Sequence, residues 1–203
     1  MQTRWAAHEF LETQEALRSL AARIEMYGVM THMARDPHLK DILQNQQRRE
    51  IMSYQQGLGL LQGKGMNMTT MPTPHTPQMN VYEQPQVGLQ NPMMSAPNPR
   101  ATNLSDQSIS TVLLDMHKTG AAVSMLWACE CVDPQIRQYH ATAANKCQEM
   151  AYELWQYMNH KGYYQAPQLA DHTMNTMIQA FQGQPMMNQN MMNQNMMNQP
   201  PMM

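Results

Sequence analysis

Apolar residues recur at helical spacing in two separate blocks of the chain. Phe10, Leu17, Leu20, Ile24, Tyr27 and Ala34 fall three, four or seven positions apart, and so do Ile109, Leu113, Met116, Gly120, Val123 and Trp127. Such a period lays one apolar stripe along one side of a helix. Each stripe runs up to an Asp-Pro pair, Asp36-Pro37 in the first block and Asp133-Pro134 in the second. Proline suits the first position of a helix, where its missing N–H would be unbonded anyway. An aspartate just before it accepts from the free N–H groups and faces the positive end of the helix dipole. One helix therefore stops where another starts, and the chain must turn back on itself. The pattern predicts two antiparallel helical hairpins, residues 3–62 and 105–162.

The two Asp-Pro pairs lie 97 positions apart (133 − 36), and the same offset pairs Leu17 with Leu114, Met26 with Val123, Val29 with Leu126, Leu39 with Ile136 and Lys40 with Arg137. Two hairpins with one apolar face each bury those faces best against one another, as a four-helix bundle. Residues 63–103 between them carry prolines at 72, 74, 77, 85, 92, 97 and 99, which exclude continuous helix and interior strand. We read this segment as a flexible crossover. A helix of about 27 residues is roughly 40 Å long, and the crossover is long enough to run the length of the bundle. Tandem hairpins joined by one long crossover make an all-α, ferritin-like topology. After residue 162 comes an extension, 163–182, with a short helix expected near 168–182. The end, 183–203, repeats Met-Met-Asn-Gln-Asn and reads as a low-complexity tail.

The second block also carries a resemblance. The run "LSDQSISTVLLDMHKTGAAVSMLWACECVDPQIRQYHATAANKCQEMAYELWQYMNHKGYYQAP" (104–167) resembles the spore coat protein F family of endospore-forming bacteria. The Ser-Asp start, the Lys118-Thr119-Gly120-Ala121 segment, "ECVDPQIR" and the exit "YMNHKGYY" carry the likeness. It implies a ferritin-like helical protein built into, or associated with, the spore coat. The expected partners are other coat proteins and further copies of this chain, after synthesis in the mother-cell cytoplasm.

Composition narrows the alternatives. Charged residues make up 14 % of the chain and the net charge is −2; without a basic cluster, nucleic acid or an anionic membrane is a poor partner. The N-terminus is polar, without a signal-peptide core, and no apolar run approaches the roughly 20 residues of a membrane span. The sequence thus reads as soluble, without membrane insertion. A dinuclear carboxylate centre in such a bundle uses Glu-x-x-His pairs, and none of the glutamates has a histidine three positions on. No Gly-rich phosphate loop, G-x-S-x-G or H-E-x-x-H occurs either. No catalytic residue, cofactor or metal is assigned, and the protein is read as a non-enzymatic structural component. The rival reading is a ferritin-like metal-binding or oxidase protein with unusual ligands. Its candidates are Glu50, seven residues after Leu43, His117 beside Met116, and Cys147, which with His140 falls between Ile136, Ala143 and Leu154. The plainer reading makes them hydrogen-bonded seam residues.

Cys129 and Cys131 diverge on a helix, and Cys147 lies on the order of 14 Å from the level of Cys131, beyond disulfide reach. Burial is the expectation for these thiols; Cys129 or Cys131 near the bend could instead cross-link molecules. The Met-rich tail has a Cu(I) reading, since thioethers are soft ligands, against the simpler reading of an adaptable, sticky tail. Tyr163 and Tyr164, past a stop at Gly162, are expected to fold back over the bundle end, with coat cross-linking as the alternative.

Overall fold

Five helices follow one another among the described residues: α1 (Ala7–Met33), α2 (Pro37–Leu61), α3 (Asp106–Glu130), α4 (Pro134–His160) and α5 (Asp171–Phe181). The computed structural model describes residues 5–63, 85–89 and 96–181. Helices α1 and α2 form one hairpin, α3 and α4 the other, and the two pack into a bundle. Both bends fall where the Asp-Pro pairs stand. Asp36 Oδ1 accepts from the His38 N–H (2.9 Å), and Asp133 Oδ1 accepts from the N–H groups of Gln135 (2.8 Å) and Ile136 (3.2 Å). Ser105 caps α3 in the same way, accepting from the Ser108 N–H at 3.1 Å. Helix α4 stops at Gly162, whose φ of 73° lies in the left-handed region that glycine adopts without strain. Tyr163 and Tyr164 then fold back, Tyr163 edge-on to Tyr157 and Tyr164 edge-on to Trp155.

The hairpins hold each other's bends. Glu9, in the first turn of α1, accepts from the Ala6 N–H (2.9 Å) and reaches across to the N–H groups of Val132 and Asp133, both at 2.6 Å. At the opposite end Asp106, in the first turn of α3, accepts from the N–H groups of Arg35 (2.8 Å) and Asp36 (3.2 Å). Glu9 and Asp106 are themselves 97 positions apart (106 − 9), as are the backbone groups they receive. The repeat therefore extends from the shared hairpin plan to a reciprocal clamp.

The crossover leaves α2 at the end near the Asp133 bend and returns to α3 at the other. One of its described pieces, 85–89, is held at the exit of α4. Gln86 donates its N–H to Asn159 Oδ1 (2.8 Å), Asn159 Nδ2 donates back to the Gln86 carbonyl (3.0 Å), and the Gly88 N–H bonds the Ala166 carbonyl (2.8 Å). The reading of 63–103 as a flexible crossover otherwise falls mostly outside the described residues, and so does the tail.

The core contains Tyr27, Leu39, Leu43, Ile109, Leu113, Leu154 and Tyr157, all fully buried. Both expected stripes need correction. Phe10 is 42 % exposed, and Glu9 and Thr13 take the buried positions of that turn, because the Glu9 carboxylate is needed at the opposite bend. On α3 the buried face runs through Ile109, Leu113, Leu114 and His117. Met116, Gly120, Val123 and Trp127 are only partly covered; they look into a cavity.

Candidate functional site

Two groups of buried polar side chains occupy the middle of the bundle. The first crosses all four long helices. Tyr27 on α1 donates its hydroxyl proton to Gln46 Oε1 on α2 at 2.7 Å, and His117 Nε2 on α3 lies 2.5 Å from the same hydroxyl. With that proton given to Gln46, the imidazole must be the donor, so His117 is the neutral Nε2–H form. Burial, reinforced by Arg23 and Arg49, pushes its pKa down to about 3, in keeping with that form. Gln46 passes the chain on, donating to the Met150 carbonyl (3.0 Å) and Glu153 Oε2 (2.9 Å) on α4. Arg49 closes it with Glu153 at 2.8 Å and Glu149 at 2.6 Å. These bonds join α2 to α4 at a definite register, because a slip of one residue would leave several buried donors unpaired.

The second group surrounds Arg23 of α1. Its Nη1 lies 3.3 Å from Glu50 Oε1 on α2 and donates a long bond to Cys147 Sγ on α4 at 3.9 Å. Burial raises the Glu50 carboxyl above its usual range against the opposing pull of Arg23, Lys146 and Arg49, and raises the Cys147 thiol to about 11. Lys146 donates to Ser53 Oγ (3.1 Å) and Gln56 Oε1 (3.4 Å), and Tyr139 donates to the Ser53 carbonyl (3.1 Å). His140 Nε2 meets Thr13 Oγ1 at 3.2 Å while that hydroxyl gives its proton to the Glu9 carbonyl at 2.7 Å. The imidazole is again a neutral donor, and burial holds its pKa at about 4.

The sequence candidates are thus all buried, but they do not form one cluster. Glu50 and Cys147 meet at the Arg23 guanidinium, whereas His117 belongs to the Tyr27 chain. A ferritin-like dinuclear centre does not fit these residues. A guanidinium stands against Glu50 where a dication would have to sit, and a tetrad of carboxylates with paired histidines is replaced by Tyr27, Gln46 and Arg49. Among the described residues no group of three or more His, Cys, Asp or Glu is placed to hold a metal ion. Arg23, Gln46, Arg49 and Lys146 are the residues that sequence reasoning missed, and Tyr27 reads there only as part of the apolar stripe. Their signal is weak: a polar residue on an apolar stripe can be read only once its partner helix is known.

Beside the second group lies a cavity of about 470 Å³, partly open to solvent between α1 and α3. Small residues make the room: Ala16 and Ser19 on α1 face Thr119, Gly120 and Ser124 on α3, with Ala143 on α4. Of the four seams of the bundle, α1–α3 is the loosest. Arg23, Glu50, Lys146 and Cys147 line its inner wall. Of the three cysteines, Cys129 is exposed, and Cys131 and Cys147 are buried and free. No helix among the described residues is long and apolar enough to cross a membrane.

Comparison with known proteins supplies what this geometry alone does not. Residues 105–168 match the Coat F domain. The chain is 24 % identical over 182 residues to the spore coat protein F-like protein YhcQ of Bacillus subtilis (strain 168), covering 87 % of this chain and 82 % of the relative. Its fold resembles the crystal structure of a protein provisionally described as a spore coat protein, from Bacillus halodurans C-125. That likeness has a TM-score of 0.61 at 14 % identity and covers 82 % of this chain and 96 % of the other.

Proposed function

From the Coat F domain at residues 105–168, we propose that this protein is a structural or assembly component of the bacterial spore coat. It acts by self-association and by contacts with other coat proteins, after synthesis in the mother cell. The observation that carries the reading is α5. Met174, Met177, Ile178 and Phe181 recur at i, i+3, i+4 and i+7, which is one helix face, yet no residue of α5 is buried and Phe181 is 91 % exposed. A helix in water with an uncovered apolar stripe gains by packing that stripe against another protein surface. The buried polar groups of the bundle support the same reading, since they bond one another across helices and set its register.

The test pairs solution size with localisation. The full chain is expected to form oligomers by light scattering, and a fluorescent fusion is expected to gather around the forespore in a sporulating Bacillus. Replacing Met177, Ile178 and Phe181 by Asp should leave the helical signal intact, lower the oligomer mass and disperse the fusion. A wild-type fusion that stays diffuse through sporulation overturns the coat assignment. Elemental analysis of the same preparation addresses the rival reading: stoichiometric iron or manganese, lost on Glu50→Ala, would favour a metalloprotein.

A further inference from the structure

The cavity between α1, α3 and α4, with Glu50 and Ser53 of α2 in its wall, has the size of a small-molecule site. Its volume of about 470 Å³ lies within the roughly 300–1,000 Å³ of such pockets. Most of its wall is apolar, and Arg23, Glu50, Lys146 and Cys147 stand together on its inner side. Among the described residues, Arg23 Nε and Glu50 Oε1 are buried without a hydrogen-bond partner, although Glu50 is only 2 % exposed. The 3.3 Å Arg23–Glu50 contact therefore joins their charges without hydrogen-bond geometry. Lys146, 8 % exposed, carries three donors and has two acceptors among the described residues, Ser53 and Gln56.

These groups define a ligand chemistry. Two cations, Arg23 and Lys146, face one carboxyl, Glu50; Arg49 behind them is already matched by Glu149 and Glu153. His140 and Cys147 face the cavity as neutral groups, and Asp115 at its rim is paired with Lys118 at 3.7 Å. The two cations exceed the Glu50 carboxyl by one charge, and the Lys146 ammonium keeps a third donor beyond its bonds to Ser53 and Gln56; an anionic acceptor matches both. We propose that the cavity binds an amphipathic monocarboxylate, its head group between Arg23 and Lys146 and its hydrocarbon part along Met116, Val123, Trp127 and Met150. This site is independent of the apolar stripe on α5.

Decanoate is the probe, titrated into the full-length protein while tryptophan fluorescence is followed, with Trp127→Phe locating the signal. Decanoate is expected to saturate at one molecule per chain and to raise the melting temperature. Decanol and decylammonium should bind at least tenfold more weakly, the loss expected when a charge-assisted hydrogen bond is removed. Lys146→Met should weaken decanoate by about the same factor. Ala143→Phe places a ring in the cavity with every charge retained; it should abolish binding while circular dichroism stays native. Decanol binding as tightly as decanoate, or a folded Ala143→Phe protein that still binds it normally, would overturn the proposal, even if Lys146→Met fails to fold.

Discussion

Glu9→Ala gives the sharpest test of the reciprocal clamp. The substitution removes the acceptor for three N–H groups, those of Ala6, Val132 and Asp133, at 2.9, 2.6 and 2.6 Å. Hydrogen bonds to a charged group contribute roughly 1.5–3 kcal/mol each. The bend is open to water, with Val132 76 % exposed, so the freed N–H groups are partly rehydrated and about 1 kcal/mol per bond is the better figure. The expected loss is about 3 kcal/mol, a large part of the stability of a typical domain. Urea unfolding followed by circular dichroism should show it as a lower midpoint at unchanged slope. Asp106→Ala should lose about 2 kcal/mol on the same arithmetic. Because the two clamps sit at opposite ends of the bundle, the double variant should lose the total of the two, within roughly 0.5 kcal/mol. The pH dependence has a definite sign. Burial raises the Glu9 carboxyl, but the N–H groups of Asp133, Ala6 and Val132 more than offset this, and its pKa falls below the ordinary 4.5. A depressed native pKa contributes stability at neutral pH, and that contribution is lost as pH falls below about 4.5 through the native value. Glu9→Gln should lack that part of the acid destabilisation. A loss under about 1 kcal/mol for Glu9→Ala, or an unchanged acid limb in Glu9→Gln, would refute the clamp.

Other substitutions test the packing. Alanine in place of a helical glycine normally gains up to about 1 kcal/mol, and Gly28→Ala should do so, its new Cβ meeting only Gln47 Nε2 at 3.6 Å. Gly57→Ala should lose about 2 kcal/mol in the same unfolding assay, because its Cβ would stand 2.5 Å from Tyr139 Oη and 2.8 Å from Cζ, on a ring held by its bond to Ser53. A thiol reagent on the native protein should modify Cys129 alone; Cys131 and Cys147 are buried, with pKa values raised by that burial to about 11, and should react only after denaturation. Deleting residues 183–203 should leave the melting temperature nearly unchanged by calorimetry, since no apolar period anchors them, and copper should have little effect on retention in the coat.

The helices and their bends were legible because their causes are local. Asp36-Pro37 and Asp133-Pro134 pair a cap with a helix-starting ring within two residues, and no distant contact is needed to interpret them. The apolar period likewise announces a helix with one buried side, and two hairpins then leave few arrangements. Which side is buried was less legible. Phe10 fits the stripe of α1 by spacing, yet Glu9 beside it is the buried residue, for its carboxylate is required by a bend more than 120 residues away in the chain (132 − 9 = 123). Met116, Val123 and Trp127 lie on the expected stripe of α3 but face a cavity, because the residues opposite on α1 are small. Glu50 and Cys147 could be named from their positions, whereas Arg23, which joins them, could not. Sequence by itself determined what short-range forces determine: caps, helix period and hairpins. Only the tertiary structure decided which polar groups meet, since hydrogen bonds and ion pairs act over a few ångströms, between residues that become neighbours only when the two hairpins pack.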